Sequence, residues 1–197
     1  MGNNMTTFRD DSDSVLISIG TNIGDLEENI ESALQFLTSL TSIQILKKSS
    51  YYQTFPVGGP KGQPSFLNMA ILLRTTLSPE ELIQEIHAIE KAMKRERKVF
   101  WGPRVIDLDI ILYGSAVLKS EELTIPHPRF QWRDFVLSPA YEIAPHIPVP
   151  VFNMTIEELK TILDWTFFTF PLFSQILERS LCMESDSASR SDYLICG

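Results

Sequence analysis

Two carboxylates, Asp107 and Asp109, stand two residues apart inside the apolar run WGPRVIDLDIILYG, residues 101–114. Aspartate is a poor strand former, and a buried carboxylate is costly unless something pairs with it. On a strand, residues two apart share a face, so both acids project together while Ile106, Leu108 and Ile110 point the other way into the core. Two neighbouring carboxylates repel unless a cation sits between them. Hard oxygen ligands with open coordination positions suit Mg²⁺, above all Mg²⁺ shared with phosphates. The same spacing also fits a solvent-facing strand whose aspartates are exposed or paired with Arg104.

Just upstream, Lys91, Lys94, Arg95, Arg97, Lys98 and Arg104 crowd one short segment of a chain whose formal net charge is −8. Positive charge concentrated on an acidic protein makes a local anion site, whereas a nucleic-acid surface would be basic throughout. Acids for a metal and arginines for an anion, converging at one end of a strand, compose a nucleotide-triphosphate site without a P-loop. No G-x-x-x-x-G-K-[ST] sequence is present. Arg95 and Arg97 taken alone also fit a solvated helix end that offsets the C-terminal dipole. His127, between Pro126 and Pro128, suits either a phosphate or ribose donor or a plain turn, while His87 reads as surface and His146 as structural. Trp101, Phe66 and Phe135 are either core aromatics or a stacking slot for a flat heterocycle. Asn68, two residues after Phe66 on the same strand face, adds an amide that both donates and accepts.

These residues need elements to hold them. Residues 15–19 form a short apolar strand that ends in a glycine-punctuated turn, GTNIG. Asp25 then caps a helix with Glu28 closing a capping box, and Leu26, Ile30, Ala33, Leu34 and Leu37 follow at helical spacing. A second strand covers 43–52. A Gly/Pro-rich loop, 54–64, has the length of a functional lid. Residues 66–74 make a third strand, and Ser78-Pro79-Glu80-Glu81 starts a helix whose buried stripe is Leu82, Ile83, Ile86, Ile89, Ala92 and Met93. The opening run, 101–114, is the fourth strand. The order strand, helix, strand, strand, helix, strand is the α+β, ferredoxin-like βαββαβ core, an antiparallel sheet covered on one face by two helices. Beyond it lie a connector, 123–135, and a further helix start at 155–158, so the core carries a C-terminal extension.

The expected organisation is a disordered leader at 1–14, one domain at 15–164 and a tail or linker at 165–197. A content of 44% hydrophobic and 21% charged residues is that of an ordinary globular domain. No apolar run approaches the roughly 18 residues that cross a bilayer, and the polar, acidic N-terminus lacks the pattern of a secretory signal. The two cysteines, Cys182 and Cys196, make no disulfide framework, which points to a reducing cytoplasm.

Several stretches in order carry a family resemblance: SIGTNIGD, SSYYQTFPVG, QPSFLNMA, SPEELIQEIHAIE, WGPRVIDLDIILYG, and IPHPRF with RDFVLSPAYEIAP. From about residue 15 to 163 the chain resembles 6-hydroxymethyl-7,8-dihydropterin pyrophosphokinase, with W-G-P-R-x-x-D-L-D-I as the signature segment. The resemblance implies pyrophosphoryl transfer from ATP to the hydroxymethyl group of a reduced pterin, releasing AMP, in folate biosynthesis. It implies Asp107 and Asp109 as ligands of two Mg²⁺ ions, with Arg95 and Arg104 holding the ATP phosphates. Glu90, Arg97, Trp101, Ile110 and His127 match positions around the nucleotide. Phe66 and Phe135 match the aromatics that sandwich the pterin, Asn68 the amide that reads its edge, Thr54 and Val57 backbone contacts, and Arg133 an arginine over the pocket. The sequence departs from the family pattern at Lys94, Val99, Phe100 and Phe66. In the tail, SDYLICG resembles the opening strand of dihydropteroate synthase, which implies a fusion of the two enzymes. The alternative function is a catalytically inactive ferredoxin-like binding module; its nucleic-acid-binding form would place aromatics in a basic surface without a carboxylate pair.

Overall fold

The structure is a computed structural model that describes residues 14–57, 60, 62–93 and 103–169. The apolar run after Ser14 forms β1 (Ser14–Thr21), buried along most of its length. Asp25 caps α1 (Leu26–Ser39) by accepting the Glu28 N–H at 3.1 Å, and the helix buries Ile30, Ala33, Leu34 and Leu37. Two short strands follow, β2 (Ile43–Lys48) and β3 (Tyr52–Thr54), where a single strand over 43–52 is expected. Ser49 makes the break. Its N–H donates to the Ala70 carbonyl and its hydroxyl accepts the Ala70 N–H, both at 2.9 Å, so a side chain takes a place in the ladder.

β4 (Phe66–Thr75) leads to α2 (Pro79–Ala92), which opens on the expected capping box between Ser78 and Glu81. β5 (Asp107–Tyr113) starts at Asp107 and not at residue 101. A hairpin of β6 (Leu118–Lys119) and β7 (Thr124–Ile125) precedes a 3₁₀ turn, Phe130–Trp132. α3 (Asp134–Ile143), a second hairpin of β8 (Pro148–Val149) and β9 (Met154–Thr155), and α4 (Ile156–Thr169) complete the described chain. α4 runs across the expected boundary between 164 and 165.

The sheet order is β2-β4-β1-β5, all antiparallel, with β3 also pairing β4. With β2 and β3 taken as one interrupted strand, this is the expected α+β ferredoxin-like fold. The sheet is covered on both faces, which differs from the one-sided arrangement expected. Ile17, Ile19, Ile71, Leu108 and Ile110 pack against α1 and α2 through residues such as Leu37 and Ile86. Leu16, Ala70, Leu72, Ile111 and Leu112 pack instead against Phe130, Val136, Leu137 and Leu163 from the C-terminal elements. Near-continuous apolar runs in β1, β4 and β5 are what burial on two faces demands.

Glu90, near the end of α2, is only 3% exposed. Its Oε1 accepts the Leu108 N–H at 2.9 Å, tying the helix to β5, the last strand of the sheet. A buried N–H that loses a charged acceptor costs about 2 kcal/mol. Glu90→Ala is therefore expected to lower unfolding stability by about 2 kcal/mol with an unchanged denaturant slope, measured by urea titration. A loss under 0.5 kcal/mol would contradict this tie.

Candidate functional site

The register of the sheet puts the chemistry on one row. Gly20 in β1 pairs with Asn68 on one side and Asp107 on the other, and Tyr52 pairs with Asn68 beyond. Two residues away in one direction Ser18 pairs with Asp109, and two residues away in the other Thr54 pairs with Phe66. Directly paired residues share a face, so an aromatic ring, an amide and two carboxylates emerge together. Their neighbours Leu67, Met69, Ile19 and Leu108 point to the opposite side, as the two-residue period requires. Where the same face turns apolar, α3 and α4 cover it; its polar end is left open, beneath the start of α3.

That opening is a cavity of about 380 Å³, a size that suits a small-molecule ligand. Of the residues singled out above, Thr54, Val57, Phe66 and Asn68 line it from β3, the following loop and β4. Arg104, Asp107 and Asp109 line it from β5 and the residues before it, and Arg133 and Phe135 from the start of α3. Asn68 is buried, and its Nδ2 donates to Thr54 Oγ1 at 2.8 Å. The Arg133 guanidinium lies 5.8 Å from the centre of the Phe135 ring, within cation–π range.

Arg104 is held by its main chain. Its N–H donates to Asn22 Oδ1 at 2.7 Å, its carbonyl accepts the Asn22 N–H at 3.1 Å, and Asn22 Nδ2 reaches Pro64 O at 3.4 Å. Its Nη1 donates to Asp107 Oδ2. The two acids thus share a face, and Asp107 makes the pair with Arg104 that the alternative reading of the strand allows. No group of three or more His, Cys, Asp or Glu able to hold a metal occurs among the described residues. The donor set is two carboxylates, which suits a hard cation whose remaining positions are filled by a ligand's oxygens and water.

Three other expected site residues do not line the cavity. Ile110 has its side chain in the first core, and Glu90 holds Leu108 as described. The N–H of His127 donates to the Ile111 carbonyl at 2.9 Å, on the β5 side of the sheet. Arg95, Arg97 and Trp101 lie outside the described residues, as do Lys94, Val99 and Phe100.

Several cavity residues carry no sequence expectation. Ser18 and Gly20 supply the floor, and Arg129 and Trp132 enter from the connector before α3. Arg129 takes φ 66°, uncommon for a non-glycine residue, a placement no pattern of residue types announces. Its signal is weak: a cation next to the His127-Pro128 pair already of interest. Phe167, from the last turn of α4, also lines the cavity.

Glu142 of α3 straps the β3 side in place. Its carboxylate accepts the Ser50 N–H at 3.0 and 3.1 Å, the Ser50 hydroxyl at 2.9 Å and the Tyr52 hydroxyl at 2.8 Å. Desolvation pushes the Glu142 carboxyl up, but the bonds from Ser50 and Tyr52 outweigh it and hold its pKa below the usual value. Desolvation, the bond to Glu142 and the nearby Glu142 and Asp134 charges push Tyr52 up to about 12.

Comparison with known proteins follows the same lines. The sequence pattern of the 7,8-dihydro-6-hydroxymethylpterin-pyrophosphokinase (HPPK) family matches residues 16–145. A Synechocystis protein named 2-amino-4-hydroxy-6-hydroxymethyldihydropteridine pyrophosphokinase is 40% identical over 161 residues, covering 82% of each chain. A Bacillus subtilis protein of the same name is 42% identical over 131 residues, covering 66% of this chain and 78% of the other. Among solved structures, wild-type Plasmodium falciparum HPPK-DHPS with STZ-DHP superposes with a TM-score of 0.65 at 14% identity. That match covers 82% of this chain and only 45% of the other, and at such identity it speaks for the fold alone.

The strap gives a pH signature with a definite sign. The folded Glu142 binds its proton more weakly than an unfolded glutamate, so its stabilisation is complete above 4.5 and fades as pH falls through the lowered value. Folded Tyr52 holds its proton more tightly, so its contribution is complete below 10.0 and fades as pH climbs to about 12. Glu142→Gln is expected to destabilise at pH 7, with the gap to wild type closing below pH 4.5. Denaturation midpoints across pH 3–7 check this, and a gap independent of pH would rule it out.

Proposed function

The chain belongs to the 7,8-dihydro-6-hydroxymethylpterin-pyrophosphokinase family, enzymes of folate biosynthesis that take ATP as co-substrate, and we propose that the cavity at the polar end of the sheet is where pyrophosphate passes from ATP to the pterin. What carries the reading is convergence. The carboxylate pair, Arg104, and the face of Phe66, Asn68 and Phe135 all line one cavity. An inactive binding module requires no such meeting of metal-ligand chemistry with a heterocycle slot.

In this proposal the pterin lies between the rings of Phe66 and Phe135. Asn68 reads its edge while Thr54 fixes the amide's orientation, and Thr54 and Val57 add main-chain contacts. Arg133, stacked on Phe135, covers the outer side of the pocket. Asp107 and Asp109 would hold two Mg²⁺ ions, and when bound these would supply charge neutralisation for the triphosphate. Arg104 then exchanges Asp107 for a phosphate oxygen and stabilises charge that builds in the transition state. Arg95 is its partner on the phosphates. Ile110 can meet the nucleotide only through its main chain, since its side chain is buried, and β5 ends the sheet's strand order. Glu90, Arg97, Trp101 and His127 complete the nucleotide side. Loop closure excludes water, whose attack would waste ATP.

Two coarser features accompany this. No described helix is long and apolar enough to cross a membrane, which is compatible with the proposed cytoplasmic location. Covalent fusion to dihydropteroate synthase is proposed on the resemblance of SDYLICG to that enzyme's opening strand.

The test is an AMP-release assay with ATP, Mg²⁺ and 6-hydroxymethyl-7,8-dihydropterin. Asp107→Ala and Asp109→Ala are each expected to cut turnover on the order of a hundredfold or more while the fold is kept. Near-full turnover in both would refute the metal assignment. Arg104→Ala is expected to lower kcat more than it raises KM for ATP, because its phosphate contact strengthens in the transition state. An effect confined to KM would contradict that role.

A further inference from the structure

Phe167 lines the same cavity as Phe66, Asn68 and Phe135, yet lies beyond the residues, 16–145, that match the family pattern. Its position follows from the way α4 is seated. Ile156, Leu159 and Leu163 are buried in the second core, and Phe167 continues their helical spacing, packing against that core. Lys160 Nζ lies 3.4 Å from Asp134 Oδ1 in the first turn of α3, and also pairs with Asp164. Asp134 precedes Phe135 and itself lines the cavity, so this ion pair sets α4 beside the aromatic wall. The neighbouring rings turn outward: Trp165 is 63% exposed and Phe168 89%.

We propose that Phe167 is a specificity-determining residue for the flat, fused-ring heterocycle, closing the open side of the slot made by Phe66 and Phe135. The proposal rests on the pterin reading given above. A third ring beside a sandwiched heterocycle adds apolar contact and removes water from its rim. The triphosphate is assigned to Arg104 and the aspartates, so the effect belongs to the pterin and not to ATP.

Phe167→Ala is expected to raise KM for 6-hydroxymethyl-7,8-dihydropterin about tenfold, with kcat and KM for ATP within twofold of wild type. Phe167→Leu keeps the apolar contact and is expected to recover most of the loss, whereas Phe168→Ala is expected to match wild type. Circular dichroism and thermal melts of each variant establish that it is folded. An unchanged pterin KM in a folded Phe167→Ala would overturn the proposal, as would a melting shift without any KM shift. Should Phe167→Ala not fold, Phe167→Gln decides, since it keeps side-chain length on the helix and removes the apolar ring: a pterin KM equal to wild type in that variant overturns it. A wild-type protein that releases no AMP would instead overturn the pterin reading, and this proposal with it.

Discussion

A missing side chain organises the site. Gly20 sits on β1 directly between Asn68 and Asp107, and a Cβ there would come within 3.1 Å of Asn68 Oδ1. Asn68 has little room to yield, because Thr54 Oγ1 fixes its amide from the other side. The empty position keeps the amide and the carboxylate in one row with a gap between them. A ligand can lie flat against the sheet there, which a central strand otherwise fills with side chains. The burial of β1 on both sides fixes its register, since a one-residue slip would send the whole row into the first core.

Around that row, charge is balanced before any ligand arrives. Asp107 and Asp109 would repel each other if both stood uncompensated, and Arg104 relieves this by pairing with Asp107. Both partners keep a small share of their surface open to the cavity they line. Asn22 holds the other end of Arg104. It pins the main chain of Arg104 by two hydrogen bonds while leaving the guanidinium to change partner. The same asparagine reaches Pro64 of the loop beside the cavity, so the arginine and that loop share an anchor.

What could be read from residue order is what depends on short spacing. The alternation of Asp107 and Asp109 with Leu108 and Ile110, the Phe66–Asn68 pair, and the caps at Asp25 and Ser78 are all set within a few residues. What could not be read depends on partners far along the chain. The break between β2 and β3 is strapped by Glu142, 92 residues from Ser50, and local propensity contains nothing of it. Glu90 depends on distance too: its buried carboxylate accepts the Leu108 N–H from β5, 18 residues further along the chain. The second helical layer left a trace in the continuous apolar runs of the strands, but a run does not say which later segment will cover it. Arg129, Trp132 and Phe167 reach the cavity through that layer, and so were beyond reach of local pattern.

The irregularity in the pairing of β1 with β5 has a consequence for how this site can change. Between Leu16 and Ile17 the register shifts: Leu16 faces Leu112 while Ile17 faces Ile110, leaving Ile111 as the extra residue. Asp107 and Asp109 lie on one side of that bulge and Leu112 on the other, yet all face the same layer. The strand therefore carries two independent reading frames, one for ligand chemistry and one for packing. An insertion or deletion beyond Ile111 can be absorbed at the bulge without rotating the aspartates, whereas one between Arg104 and Asp107 has no such buffer. Length variation among functional descendants should accumulate on the far side of the bulge and be purged from the near side.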